Sequence, residues 1–272
     1  MVLVSLLGAL FVFITFVQGG QTLLYKIAKT EKERDVLVAS LGRKWELSFT
    51  ALVMFGGALF AAFPLFYAVS FGGAYFVWMA ILFCFIIQAV SYEYRKKPNN
   101  FLGKRTYEIF LFINGSLGII LIGMAVGTMF SGGNFIKDDM NLSAWTLSSR
   151  GLEAVLNPFN VVFGMTLFFL AGVQASLYFL NNISHEQIEK RSRGQLKNDS
   201  IFFVGFFVLL SIMLLIMSGF SYNESGFFIE KYKFLSNFLA NPILLIFFLV
   251  GTLMVLYAIF ISLFKYLLFA WL

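Results

Sequence analysis

Residues 43–48 read RKWELS and residues 49–67 read FTALVMFGGALFAAFPLFY, and together these residues decide the fold. A run of about twenty apolar residues is long enough for a helix to cross the hydrocarbon core of a membrane. Trp45 carries the amphipathic ring that favours the headgroup level. Glu46 lies beside it, where an ionised carboxylate is costly and needs a partner, water or a function. The stretch predicts a transmembrane helix that begins with polar residues at the membrane surface.

Small residues and a proline inside this run indicate that the helix packs in a bundle. Gly56 and Gly57 lack side-chain bulk, so the backbone of another helix can approach closely. Pro64 leaves a backbone carbonyl group that neighbouring helices must satisfy. We therefore expect Trp45, Gly56 and Gly57 to contact a packing partner.

The composition of the whole chain indicates the same environment. It is 60% hydrophobic and only 12% charged, which is typical of membrane proteins. We predict an all-α, polytopic transmembrane helix bundle of about seven spans, with residues 1–272 forming a single integral membrane domain in a lipid bilayer. The spans are expected at residues 2–18, 48–69, 75–90, 108–130, 155–180, 201–220 and 242–264.

The basic residues are distributed unevenly between the two ends of these spans. Sixteen of the 20 lie in the first, third and fifth connections or at the C-terminal end, and the other four lie in the even-numbered connections. Such a bias marks the cytoplasmic side, so the N-terminus is expected outside. Because the charges flank membrane ends, the net charge of +6 does not indicate nucleic-acid binding.

Several spaced motifs follow one another along most of the chain. They read GGALFAA at residues 56–62, FGGAY at 71–75, YEYR at 92–95, LNPF at 156–159, GVQASLY at 172–178 and NPIL at 241–244. In this order the motifs resemble subunit II of the cytochrome bd-type quinol oxidases. Members of that family usually carry two further helices after the seventh, so the domain is expected to be incomplete at its C-terminus.

The resemblance implies a role within an oxygen-reducing complex of the bacterial cytoplasmic (inner) membrane. Subunit II packs against subunit I, which carries haem b and haem d, and the complex oxidises quinol and reduces oxygen to water. The residues of this chain agree with a subunit that ligates no haem. His185 is the only histidine and Cys84 the only cysteine, so the chain offers neither a histidine pair nor a cysteine cluster. We expect no metal site.

Glu46 is the first candidate for chemistry. From the residues alone it is either an interfacial carboxylate neutralised by Arg43 or Lys44, or a group that exchanges protons at a membrane mouth. The resemblance implies that the acid after this tryptophan lies on a proton route towards the haems of subunit I. The family commonly has Asp at this position, and Glu keeps the charge with a longer reach.

Gln18 and Gln21 end the predicted first span, where many members of the family have Asp-Gly-Phe-Asp. Amides cannot carry a proton charge, so we expect hydrogen-bonded helix packing, with contact to a structural quinone as the alternative. Asn114 and Gln174 lie deeper and should hydrogen-bond across helices. Gln174 is flanked by small residues, so it is also expected to contact the packing partner. Glu93, with Arg95 or Lys96, is expected to anchor the cytoplasmic end.

Two other functions remain open from the sequence. A secondary transporter should have inverted repeats and ionisable residues at the membrane midplane, whereas the acids here cluster near membrane ends. A purely structural membrane anchor subunit would have the same helices and no proton role for Glu46.

Overall fold

A computed structural model describes residues 2–138, 140, 142–223 and 226–263. Within them it confirms the predicted all-helical bundle with seven helical segments that are long and apolar enough to cross a membrane. These segments are Val2–Ile27, Glu31–Ala62, Tyr75–Tyr94, Lys104–Ser131, Pro158–Asn182, Glu186–Ile216 and Pro242–Leu263.

The first span consists of α1 (Val2–Ile14) and α2 (Phe16–Ile27), joined at Thr15. The prediction that Gln18 and Gln21 end this span is therefore wrong, because the helix continues to Ile27. Neighbouring helices pack on both sides of this segment, so its glycines and amides are buried and remain helical.

Helix α3 (Glu31–Gly42) precedes the second span and begins with a capping box, in which Thr30 and Glu33 satisfy each other's backbone N–H groups. Helix α4 (Trp45–Ala62) ends before Pro64, which occupies the first turn of α5 (Pro64–Tyr67). The proline thus separates two helices where a single predicted span was expected to continue.

A π-helical segment, Ala68–Gly73, connects α5 to α6 (Tyr75–Tyr94), so the second and third spans form an antiparallel hairpin. The fourth span is built in order from α7 (Lys104–Ile113), a second π-helical segment (Asn114–Gly118) and α8 (Ile119–Ser131). Its two α-helical parts are continuous through the π-helical segment.

Two short hairpins interrupt the helical pattern in even-numbered connections. Strand β1 (Phe135–Lys137) pairs antiparallel with β2 (Ser143–Trp145), and β3 (Gly219–Asn223) pairs antiparallel with β4 (Gly226–Glu230). The remaining helices are α9 (Leu152–Val155), α10 (Pro158–Asn182), α11 (Glu186–Ile216), α12 (Lys233–Ala240) and α13 (Pro242–Leu263).

Two boundaries of these later helices bear on the predictions. Asn157 caps α10 by accepting a hydrogen bond from the Phe159 N–H group at 3.0 Å, which is the helix start that Asn-Pro indicates. Helix α11 begins at Glu186 rather than near residue 201. Its polar first half was not predicted, because an apolar run marks only the part of a helix that lies in lipid.

Helix α10 lies at the centre of the bundle and packs against α2, α8 and α11. Glycines allow these contacts. An ideal Cβ on Gly19 would lie 1.9 Å from the Ala171 carbonyl oxygen, and one on Gly123 would lie 2.7 Å from the Gly164 Cα. The close approach expected at glycines thus occurs here at positions other than Gly56 and Gly57.

A network of buried charges joins the first and third connections with the fourth span. Arg95, 1% exposed, pairs with Glu108 at 2.6 Å and with Asp35 at 2.5 Å. Burial alone would lower the pKa of Arg95, but the hydrogen bonds to Glu108 and Asp35 outweigh it and raise the pKa. Glu108 also accepts a short hydrogen bond from the Tyr25 hydroxyl group. We call the end of the bundle that contains this network the basic end.

The anchor predicted around Glu93 is wrong in its pairing. Glu93 pairs with Lys97 one turn later on an exposed surface, at 2.5 Å, rather than with Arg95 or Lys96. Arg95 instead points into the bundle, where Asp35 and Glu108 provide two acceptors.

Gly19→Ala should disrupt the contact of α2 with α10, because the new methyl group would meet a backbone carbonyl that cannot rotate away. We expect a loss of stability of roughly 1–3 kcal/mol or more. Gly205→Ala on α11, where no atom lies within 4 Å of the new Cβ, is the control. Thermal unfolding in detergent measures both, and equal melting temperatures would contradict the contact.

Arg95→Met should destabilise the protein by about 3 kcal/mol, the low end for breaking a buried pair, because it leaves the buried Glu108 with only Arg34 at 3.4 Å and removes the partner of the half-buried Asp35. Lys97→Met removes an exposed pair and should change the stability little. Denaturant or thermal unfolding of the two variants provides the comparison. An Arg95→Met protein as stable as Lys97→Met would show that the network does not hold the helices together.

Candidate functional site

A cleft at the basic end surrounds the start of α4. It has a volume of about 370 Å³, and its walls include Arg43, Glu46, Glu93 and Lys96. Glu46 is exposed in the first turn of α4, where the helix dipole favours a negative charge. Among the described residues Glu46 has no ion-pair or hydrogen-bond partner, so neither Arg43 nor Lys44 neutralises it directly.

Trp45 contacts a residue of this chain. Its ring stacks on Tyr92 of α6 with a centroid distance of 5.9 Å and an interplanar angle of 14°. Both rings line the cleft, and the Tyr92 hydroxyl group accepts a hydrogen bond from Gln21 deeper in the bundle.

Gln18 and Gln21 are fully buried and bond to neighbouring helices. Gln18 Nε2 donates to Ser48 Oγ of α4 at 2.8 Å, and Gln21 Nε2 donates to the Tyr92 hydroxyl group of α6 at 3.1 Å. These are the interhelical hydrogen bonds that the sequence favoured for the two amides. The side-chain oxygen of each has no partner among the described residues.

Two further amides are buried in the same part of the bundle. Gln88 lies one turn before Tyr92 on α6, and Asn114 lies in the second π-helical segment, which packs against α2 and α6. Neither amide has a hydrogen bond within the described residues. The predicted interhelical bond of Asn114 is therefore wrong. We call Gln18, Gln21, Gln88 and Asn114 the amide group.

The interhelical hydrogen bond predicted for Gln174 is confirmed, whereas its expected contact with a packing partner stays a prediction. Thr15, at the junction of α1 and α2, donates a hydrogen bond to Gln174 Oε1 at 3.2 Å. The bond joins the first span to α10 next to the Gly19 contact, so Gln174 packs within this chain.

Gly56 and Gly57 lie at a groove between α4 and α6 of about 330 Å³, lined mainly by apolar side chains. An ideal Cβ on Gly56 would lie 3.4 Å from the Phe71 ring, whereas one on Gly57 would have no atom within 4 Å. No helix of the described residues packs on Gly57, so this face is open to another molecule.

The chain offers little to a haem or a metal ion. His185 is exposed and accepts a hydrogen bond from the Ile188 N–H group at 3.4 Å as the cap of α11. The described residues contain no group of three or more His, Cys, Asp or Glu side chains with the geometry of a metal site. The donor set that surrounds the candidate site does not fit haem ligation.

The sequence analysis assigned no role to Ser48 and Tyr92, or to Asp199, a buried carboxylate on α11. Ser48 and Tyr92 are ordinary residues near span ends, and their roles appear only when α2, α4 and α6 are assembled. Asp199 precedes the sixth apolar run by two residues, and that position was the available signal.

The chain is similar to known proteins over most or all of its length. A family model described as cytochrome bd terminal oxidase subunit II matches residues 1–272. A probable cytochrome oxidase subunit 2 of Haemophilus influenzae is 29% identical over 205 residues, which are 75% of this chain and 53% of the relative.

Two further relatives have similar coverage. The cytochrome bd-I ubiquinol oxidase subunit 2 of Escherichia coli K12 is 25% identical over 66% of this chain and 47% of its own length. The cytochrome bd ubiquinol oxidase subunit 2 of Bacillus subtilis is 26% identical over 69% and 54%, respectively. The chain thus spans about half the length of the curated relatives it matches.

The amide group provides a test of buried polarity. Gln18→Met removes an interhelical hydrogen bond and should cost about 0.5–1.5 kcal/mol. Gln88→Met replaces a side chain that has no protein partner, so it should leave the stability unchanged or raise it. Thermal unfolding of both variants checks the order. A Gln88→Met protein less stable than Gln18→Met would mean that Gln88 has a strong polar contact.

Proposed function

The chain belongs to the cytochrome bd terminal oxidase subunit II family, and from this premise we propose that it is the membrane subunit that stabilises a haem-bearing subunit I. The complex would oxidise quinol and reduce oxygen to water. Haem b and haem d would be bound by subunit I, which supplies the redox chemistry. The absence of a histidine other than the exposed His185 supports this division of roles.

The open groove between α4 and α6 is our candidate for the contact with subunit I. Its apolar lining and the small residues Gly56 and Gly57 suit close helix packing. A structural quinone held by Gln18 and Gln21 is less favoured, because both amides are buried and bonded to neighbouring helices. We propose that the single domain of residues 1–272 lies in the bacterial cytoplasmic membrane with its N-terminus outside.

Glu46 is our candidate for proton uptake on the cytoplasmic side, and its position carries this proposal. It lies exposed on the cleft wall, without a cation partner among the described residues, two residues before the buried Ser48, whose hydroxyl group accepts a hydrogen bond from Gln18. A carboxylate so placed can bind a proton from water and release it towards the interior. Arg43 and Lys96 also lie on the walls of this cleft.

Glu46→Gln in the purified complex should lower the rate of oxygen reduction at least about ten-fold, a small part of what a positioned proton-transfer group contributes. Glu46→Asp should retain most of the rate. Glu93→Gln is the matched control, because Glu93 lines the same cleft but pairs with Lys97. Oxygen consumption per haem measures all three.

A wild-type rate for Glu46→Gln would remove the proton role and leave a structural anchor subunit. A preparation that lacks haem in all variants would instead count against the oxidase assignment, so the two failures are distinguishable.

A further inference from the structure

Asp199 differs from the other buried acids of the described residues. Three carboxylates are at most 6% exposed, and two of these, Glu33 and Glu108, pair with arginines. Asp199, which is 5% exposed, has no cation within ion-pair distance among the described residues. Its Oδ1 accepts a hydrogen bond from Gln195 Nε2 at 2.7 Å, and its Oδ2 has no hydrogen-bond partner in the protein.

The carboxyl group lies against the backbone of α10. An ideal Cβ on Gly172 would be 2.6 Å from Asp199 Oδ2, so the acid occupies the space that a side chain at residue 172 would need. Leu196 and Phe203 flank Asp199 on α11 and belong to an apolar cluster with Val173 of α10. The group is thus removed from water on both helices.

Three hydroxyl groups lie on the helix faces that meet here. Ser176 follows Gly172 by one turn of α10, and Ser192 precedes Asp199 by two turns of α11, while Ser200 is adjacent in sequence. All three are at most 3% exposed, and the Oγ of each has no partner among the described residues. Because α10 and α11 are antiparallel, Ser176 and Ser192 both lie on the side of Asp199 that leads to the basic end.

The charged neighbours are few. Lys26 of α2 is exposed, and it attracts the Asp199 carboxylate electrostatically without forming an ion pair with it. On α10 the one titratable side chain, Tyr178, bonds to Ser40. Arg193 of α11 pairs with Glu189, Lys197 is exposed, and α13 contributes uncharged residues.

An isolated carboxylate in apolar surroundings is unstable as an anion, and it becomes neutral by binding a proton. Gln195 contributes one hydrogen bond, which does not replace the hydration of a full charge. A bound proton converts the carboxylate to a carboxylic acid, and the hydroxyl groups can donate or accept along a path to the basic end.

We propose that Asp199 is a proton-binding site in which Oδ2 carries a proton at neutral pH and exchanges it with the basic end along the serines between α10 and α11. The site is separate from Glu46, and the proposal does not rest on the oxidase assignment. The ligand is a proton rather than a monovalent cation, because the tight packing of Oδ2 against Gly172 leaves little room for a coordination shell.

Infrared difference spectroscopy of the purified protein in lipid nanodiscs tests the site. At neutral pH the wild type should show a carbonyl band of a protonated carboxylic acid that shifts in heavy water. Asp199→Asn should lose the band, and Glu189→Gln, an exposed acid on the same helix, should keep it. Identical spectra for wild type and Asp199→Asn would overturn the proposal.

A second variant and a change of buffer cation test whether the band has another origin. Gln195→Leu leaves the acid in place but removes its hydrogen bond, so the band should persist at a higher frequency even where Asp199→Asn fails to fold. An unshifted band in Gln195→Leu would contradict the assignment. Exchange of sodium for choline in the buffer should not alter the wild-type band. A band that appears only without sodium would show a cation site instead.

Discussion

The backbone contact between α2 and α10 is the constraint on which the other helices depend. Gly19 lets the two helices approach until the Ala171 carbonyl fills the place of a side chain. That approach places Gln174 beside Thr15 and leaves Gly172 facing α11. Because α10 also packs on α8 through Gly164, a shift of this one contact would move four helices together.

The bundle contains three kinds of buried polar group, and they differ in how many ion-pair or hydrogen-bond partners they have. At the basic end, Arg95 and Glu108 have full charges and full partners. In the amide group, Gln18 and Gln21 have one bond each, and Gln88 and Asn114 have none within the described residues. Amides tolerate this because they carry no net charge. Asp199 can become neutral by binding a proton, and its one partner is the uncharged Gln195. Among these buried polar groups it is therefore the one suited to exchange protons.

The sequence predicted the spans well because each is an apolar run, and the runs determine which segments lie in lipid. The Asn157 cap follows from the local Asn-Pro sequence. The bond of Gln174 joins residues 159 positions apart, and the sequence predicted only that this amide would bond across helices, without its partner. The sequence failed on Asn114 and on the partner of Glu93, because these depend on how helices rotate against each other. The roles of Glu46 and of the groove remain predictions, since they concern protons and a partner that the chain does not contain.

Two sets of glycines differ in what lies beside them, and this difference indicates where a partner binds. Gly19, Gly123 and Gly164 lie against backbone atoms of this chain, so their small size is used within the bundle. Gly57 has open space beside it, and Gly56 meets one ring at an ordinary distance. A glycine within a helix lowers stability by about 0.5–1 kcal/mol relative to alanine, and at Gly57 no atom of the described residues lies close enough to offset that cost. Gly205 of α11 has the same open space, but Gly57 lies on the wall of the groove between α4 and α6, which favours that groove as the site of a partner helix.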